Sequence, residues 1–294
     1  MTETRPPAIR WWAWWPVLLL MVAGVALTFQ LFVMTSRGQL LDQWAMDGAV
    51  TQFVDSGAWS KRVLTLMPEI VGVTGAVMFV LLTVIRRRWG ASAIALAGLA
   101  AANLSTQILK RGILIRPELA NGVPYYTGNS LPSGHTTFAA SAMLAVLIIT
   151  GSRLRPAMAL VGLLFAGAVG LATLVEGWHR PSDMVAAYLV SGFWAVLTGW
   201  IAMRIGPRWN SRRPDRGSLA WAGVALAVLG GLAILSAYLC FLAGGGWAAV
   251  DDPALRESVW HASFGLLLSG GSATLVFGFV TALMAWEEGV RPRG

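Results

Sequence analysis

The chain has 294 residues, of which 56% are hydrophobic and only 12% charged, and it carries a formal net charge of +8. A soluble domain normally holds about 25% charged residues, so the composition excludes an ordinary soluble fold and specifies a polytopic membrane protein. The basic excess raises nucleic acid as a partner, but its distribution along the chain excludes that reading.

Apolar runs of about 20 residues, long enough to cross a bilayer as helices, recur along the whole length. Eight spans are predicted in chain order: 14–34, 63–85, 91–109, 133–150, 157–175, 184–205, 219–242 and 260–286. The fold class expected is all-α, a polytopic membrane helical bundle. The first run follows Arg5 and Arg10, as a signal peptide would. It is longer than a signal core and no small-x-small cleavage site follows it, so it is expected to be retained. Residues 36–62 read as an outer loop with a short amphipathic stretch around 40–54. Residues 111–132 form a second polar segment, with Tyr125, Tyr126 and a Gly128-Asn129-Ser130 turn signal.

The arginines set the topology. With a cytoplasmic N-terminus, that side holds 14 of the 22 basic residues, including Arg86, Arg87, Arg88, Arg153, Arg155 and five arginines around the 206–218 loop. This bias fits the positive-inside rule with both termini inside. The basicity is therefore topology and anionic-lipid contact, with the bilayer as partner and no nucleic acid. The lone Cys240 offers neither an intrachain disulfide nor a thiolate cluster.

The 206–218 loop also divides the chain. Every candidate catalytic residue precedes it, so 1–205 is expected to be a six-span core and 219–294 a two-span C-terminal addition. In that addition, Gly230-Gly231 and Gly270-Gly271 suit close helix packing, and His261 reads as an interfacial residue. Trp11, Trp12, Trp14 and Trp15 read as interfacial anchors.

Three segments carry the chemistry: Lys110 to Pro117, Pro132 to His135, and His179 to Asp183. They fall at the end of span three, the start of span four and the end of span five, so helix parity puts them on one membrane face. The arginine count makes that face the outer one. In the middle segment, Asn129 or Ser130 can cap a helix, with Pro132 early in it. Ser133, Gly134 and His135 would then offer N–H groups at a helix N-terminus, a ready site for phosphate. Gly134 has no side chain to block approach, Ser133 adds a hydroxyl, and His135 can protonate a leaving oxygen. His179 and Asp183, four apart, share a helix face. The carboxylate can orient one imidazole nitrogen and leave the other free as a nucleophile. Lys110 and Arg116 supply the positive charge that phosphoryl transfer requires. No acidic cluster or histidine pair has metal-ligand spacing, and neither metal nor cofactor is expected.

These residues resemble the type 2 phosphatidic acid phosphatase superfamily, integral membrane lipid phosphatases related by fold to vanadium haloperoxidases. The family pattern is Lys-x6-Arg-Pro, Pro-Ser-Gly-His, and Ser-Arg-x5-His-x3-Asp, and the match runs from Lys110 to Asp183. The resemblance implies a six-helix phosphatase core. It implies His179 as the nucleophile that forms a phosphohistidine, Asp183 as its orienting partner, and His135 as the general acid. Lys110, Arg116, Ser133 and Gly134 would hold the phosphate oxygens. The implied substrate is a lipid phosphate or pyrophosphate: an isoprenoid pyrophosphate, phosphatidylglycerol phosphate or phosphatidic acid. A lipid phosphotransferase using the same intermediate, or a non-catalytic lipid-phosphate binder, would use the same residues.

The chain departs from the pattern twice. Five residues, not six, separate Lys110 from Arg116. The third-motif Ser-Arg pair is replaced by Ala172 and Thr173, which removes one phosphate ligand. Arg180 or Arg111 is expected to supply the charge from another direction. Two acids remain open: Glu69 near the outer part of span two, as a functional or an interfacial residue, and Glu176, one turn before His179, as a supporting group or a water-facing one.

Overall fold

The first long apolar run forms a helix, α1 (Trp14–Phe32), in a computed structural model that describes residues 11–53, 57–69, 73, 75–120, 123, 129–205 and 217–290. Further helices succeed it: α2 (Ser36–Gln52), α3 (Gly57–Glu69), α4 (Ala76–Arg86), α5 (Trp89–Ile108), α6 (Gly134–Ile149), α7 (Arg155–Val175), α8 (Pro181–Ile205), α9 (Gly217–Ala243), the short α10 (Gly246–Val250) and α11 (Val259–Val290). No strand occurs among the described residues. The fold is all-α, as the composition requires.

Among the described residues, six helices are long and apolar enough to cross a membrane: α1, α5, α7, α8, α9 and α11. The protein is a multi-pass membrane protein. Predicted span 133–150 appears as the shorter α6, whose 16 residues rise about 24 Å at 1.5 Å each. Predicted span 63–85 covers the end of α3 and all but the last residue of α4, with only Val73 and Gly75 described between them.

The largest difference from expectation is α2. The sequence reads there as a loop with a short amphipathic stretch, but it forms a helix of 17 residues. Thr35 caps its N-terminus, accepting the Gly38 N–H at 3.0 Å. Its Gln39, Asp42 and Gln43 are buried, which makes it part of the interior.

The packing places the catalytic-type segments together. Helix α8 is central, in contact with α1, α5, α6 and α11, while α11 also packs on α2, α7 and α9. Trp14, Leu144, Tyr188 and Phe277, from α1, α6, α8 and α11, belong to one apolar core. Close approach of α9 and α11 depends on Gly230 and Gly271. A Cβ on Gly230 would lie 2.4 Å from the Leu275 nitrogen, and one on Gly271 3.0 Å from the Gly230 carbonyl, whereas Gly231 and Gly270 face open space. His261 is buried within the protein. Its Nδ1 lies 2.9 Å from the Leu255 carbonyl and 3.1 Å from Ser258 Oγ, so it ties the start of α11 to the turn before it.

Candidate functional site

The start of α6 is built as a cradle, with one change from expectation. The N-cap is Ser133 itself, not Asn129 or Ser130. Its Oγ accepts the Thr136 N–H at 3.4 Å and the Thr136 hydroxyl at 3.0 Å, and Ser133 is fully buried. Asn129 folds back on the turn, donating from its side-chain amide to the Leu131 carbonyl at 2.7 Å. Gly134 and His135 are the first two helical residues, and N–H groups there have no intrahelical acceptor. A Cβ on Gly134 would meet only Gln107 Nε2, at 3.9 Å, so the approach to those donors is open. The His135 side chain is exposed beside them.

The third segment sits on a turn that its sequence specifies. Helix α7 ends in a Schellman motif: the Gly177 N–H donates to the Leu174 carbonyl at 2.9 Å and the Trp178 N–H to the Thr173 carbonyl at 2.9 Å. Gly177 adopts φ +69°, which a side chain would oppose. The Thr173 carbonyl also accepts the His179 N–H at 3.2 Å. Thr173 therefore positions His179 through its backbone. Its hydroxyl donates to Gly170 within its own helix at 2.7 Å, so its side chain brings nothing to the site.

His179 Nδ1 lies 3.0 Å from Asp183 Oδ2, which leaves Nε2 for chemistry. Asp183 is fully buried. Its Oδ2 also accepts the Arg180 N–H at 3.1 Å, and its Oδ1 accepts the Ser130 hydroxyl at 3.0 Å. Its carbonyl accepts the Ser133 N–H at 3.0 Å. Asp183 thus joins the second and third segments by backbone and side chain at once. The rings of His135 and His179 face one another at 6.5 Å between centroids, and Trp178 flanks His135 at 5.6 Å. Two imidazoles at that separation can both reach one group placed between them.

The cations divide. Lys110 is half-buried and close enough to His135 to act on it electrostatically. It lies within a single π turn, Leu109–Ile113, that ends α5. The segment is therefore neither regular helix nor loop, and the spacing from Lys110 to Arg116 is not that of a continuous α-helix. Arg116 is only 2% exposed and lies near Asp42, deeper than expected for a group at the cradle surface. Arg180 is half-buried; its Nε donates to Gln43 Oε1 at 2.8 Å, and its Nη1 reaches Ser130 Oγ at 3.5 Å. Arg111 is exposed. Glu176 accepts a hydrogen bond from Ser60 of α3, a supporting contact. The Glu69 side chain and Tyr125 and Tyr126 lie outside the described residues.

The residues missed by sequence reasoning are on α2. Gln39 Nε2 donates to the Pro117 carbonyl at 2.7 Å, beside Arg116. Asp42 accepts the Ser182 N–H at 3.0 Å and the Ser182 hydroxyl. Gln43 holds Arg180. Burial, with Asp183 next, pushes the Asp42 carboxyl up, against the pull of Arg116, the Ser182 hydrogen bond and Arg180, to about 6. The only sequence signal was the amphipathic stretch itself, whose partners are 78 to 140 residues away.

Below the histidines, α4, α5, α6 and α7 line a half-open apolar cavity of about 500 Å³, bordered among others by Phe79, Leu99, Phe138, Ala142 and Phe165. Phe138 and Ala142 come three and seven residues after His135, on the same face of α6. No group of three or more potential metal ligands occurs among the described residues.

Residues 91–207 match the PAP2 superfamily. This stretch contains all three segments and excludes α2, α9 and α11. The chain is 37% identical over 110 residues to phosphatidylglycerophosphatase B of Escherichia coli K12, and equally to those of Escherichia coli O157:H7 and Shigella flexneri. Each match covers 33% of this chain and 43% of the relative, so the chain spans less than half the length of the curated relatives it matches. No solved structure matches.

Proposed function

We propose that this chain, with a PAP2-superfamily region at residues 91–207, is a phosphatase that hydrolyses a lipid phosphate or pyrophosphate without a metal. The observation that carries this reading is the pair of facing histidines, one oriented by a buried carboxylate and the other beside an open helix N-terminus. Similarity to phosphatidylglycerophosphatase B supports the lipid phosphate class. Phosphatidylglycerol phosphate, phosphatidic acid and isoprenoid pyrophosphates all present the required group.

In this mechanism His179 Nε2 attacks phosphorus as the P–O bond to the leaving group breaks. His135 gives its proton to the departing oxygen. Asp183 holds the imidazole and stabilises the positive charge that develops on it. Water, deprotonated by His135, then cleaves the N–P bond and releases phosphate. The N–H groups of Gly134 and His135, the Ser133 hydroxyl, Lys110, Arg116 and Arg180 neutralise the nonbridging oxygens, the main catalytic requirement of phosphoryl transfer. The apolar cavity beneath His135 receives the lipid tail, while the head group meets the cradle. The arginine distribution supports cytoplasmic termini and a site on the outer face.

The test is phosphate release from a panel of lipid phosphates by the purified protein in detergent. Release is expected to persist in chelator, to be inhibited by vanadate and to vanish in His179→Ala. Chelator-sensitive release, or release that survives the loss of His179, overturns the mechanism.

A further inference from the structure

The C-terminal helices α9 and α11 lie outside the PAP2 match, yet the segment that joins them reaches the site through α2. Arg256, in that segment, donates from Nε to Asp47 Oδ2 at 2.7 Å. The other oxygen, Asp47 Oδ1, accepts Gln43 Nε2 at 2.9 Å. Gln43 Oε1 in turn accepts Arg180 Nε at 2.8 Å. The chain of bonds is directional. A carboxylate only accepts, so Asp47 fixes the amide of Gln43 with its NH₂ outward and its oxygen toward Arg180. Reversing the amide would set its NH₂ against a guanidinium that has no acceptor.

The same connection grips α2 at three further places. Trp44 Nε1 donates to the Val250 carbonyl at 2.9 Å, the Arg256 guanidinium lies 5.0 Å over the Trp44 ring, and Arg37 pairs with Asp251 at 2.7 Å. Gly48 lets the two backbones meet, since a Cβ there would lie 2.9 Å from the Ser258 carbonyl and 3.0 Å from the Ala262 nitrogen. The exposed Arg37–Asp251 pair contributes little stability in itself. The effect of these contacts together is to hold α2 in register with the turn that carries His179 and Arg180.

We infer that the α9–α11 hairpin is a positioning element for substrate phosphate: through Arg256, Asp47 and Gln43 it fixes Arg180, which supplies the positive charge that Thr173 does not. Gln43 is a positioning residue, and Asp47 and Arg256 act through it. This inference rests on the phosphatase reading of the site. Arginine has a long, flexible side chain, so a guanidinium held by Gln43 presents its charge without the ordering cost that an unrestrained one would carry on binding an anion.

Binding of inorganic orthovanadate to the purified full chain, measured by calorimetry, tests it. Arg180→Ala is expected to weaken vanadate about 10- to 100-fold, as for a charge-assisted hydrogen bond. Gln43→Ala should weaken it about 3- to 10-fold and Arg256→Ala about 2- to 5-fold, each adding less than about twofold when Arg180 is already alanine, since coupled residues are non-additive. Arg256→Lys, which keeps a donor for Asp47, should bind within about twofold of the unaltered protein. Arg256 stands at the edge of the fold, so its variants test the relay even if Gln43→Ala does not fold. Equal penalties in both backgrounds, or no effect of Arg180→Ala, or normal binding by folded Gln43→Ala and Arg256→Ala, overturn the inference and leave the phosphatase reading intact. If the unaltered protein binds no vanadate and releases no phosphate from any lipid, the phosphatase reading fails and the inference falls with it.

Discussion

The carboxylate of Asp42 accepts both the backbone N–H and the hydroxyl of Ser182, the residue next to Asp183. One helix outside the PAP2 match thereby fixes the first turn of α8, and with it the carboxylate that orients His179. The arrangement has a cost, because a second buried acid lies beside Asp183 and its carboxyl is raised to about 6 from an ordinary 3.8.

That shift has a signed consequence. A carboxyl whose folded pKa is raised binds its proton more tightly folded than unfolded. The stability it contributes is complete below about pH 4 and is lost as pH rises through about 6. Two pH units correspond to about 3 kcal/mol at 1.36 per unit, an upper figure. In Asp42→Asn the amide oxygen still accepts from the Ser182 N–H and the charge is gone. The melting temperature of Asp42→Asn relative to the unaltered protein is therefore expected to rise between pH 4 and pH 7. A difference that stays flat across that window would show that Asp42 does not titrate there.

Gly134→Ala separates the cradle from the fold. The added Cβ meets only Gln107 Nε2, at ordinary contact distance, and alanine favours helix over glycine by about 1 kcal/mol. Thermal stability should be unchanged or slightly raised. The methyl group stands where phosphate must approach the helix N-terminus, so kcat/KM should fall about 10- to 100-fold, the equivalent of one or two lost hydrogen bonds to a charged group. Full activity in the stable variant would remove the α6 N-terminus from the site.

Asp183→Asn keeps the shape of the orienting group and removes its charge. In a nucleophile–base system this substitution lowers turnover by about 10² to 10⁴-fold. The same range is expected here in kcat, with a smaller change in KM. Trapping of a phosphorylated enzyme during turnover should decline in parallel, and a variant that trapped normally but turned over slowly would shift the role of Asp183 to the hydrolytic step.

Restoring an arginine at position 173 is not expected to restore a family-like site. Thr173 is fully buried and its hydroxyl is bonded within α7. Thr173→Arg must place a large charged group in that space, and overpacking alone costs about 1–3 kcal/mol. A fall in melting temperature with no gain in kcat/KM is the predicted result. Increased activity would mean that the turn can open to admit the side chain.

Ala142 lines the apolar cavity, whose lining includes neither His135 nor His179, so a larger side chain there narrows the cavity. Ala142→Phe should raise KM severalfold for a long-chain lipid phosphate and leave a short-chain, water-soluble one nearly unchanged, because the lost contribution is apolar contact along the tail. Equal effects on both substrates would place the tail elsewhere.

The sequence by itself determined the membrane class, the positions of the apolar helices and the three segments at one end of them, because these depend on local periodicity, length and short-range spacing. His179 and Asp183 four residues apart, and a Gly in the first turn after Pro132-Ser133, are legible without any partner. Tertiary structure alone decided what surrounds them. Asp42, Gln43 and Gln39 read as part of an outer loop with a short amphipathic stretch, and their meaning depends on Ser182, Arg180 and Pro117, 78 to 140 residues away. Ser133 read as a residue beside a neighbouring cap, and the fold makes it the cap as well. Thr173 read as a missing charge, and the fold shows a carbonyl that holds His179 in place. Local patterns encode which groups are present at the site, whereas burial and long-range hydrogen bonds, which no periodicity records, set how each group is held.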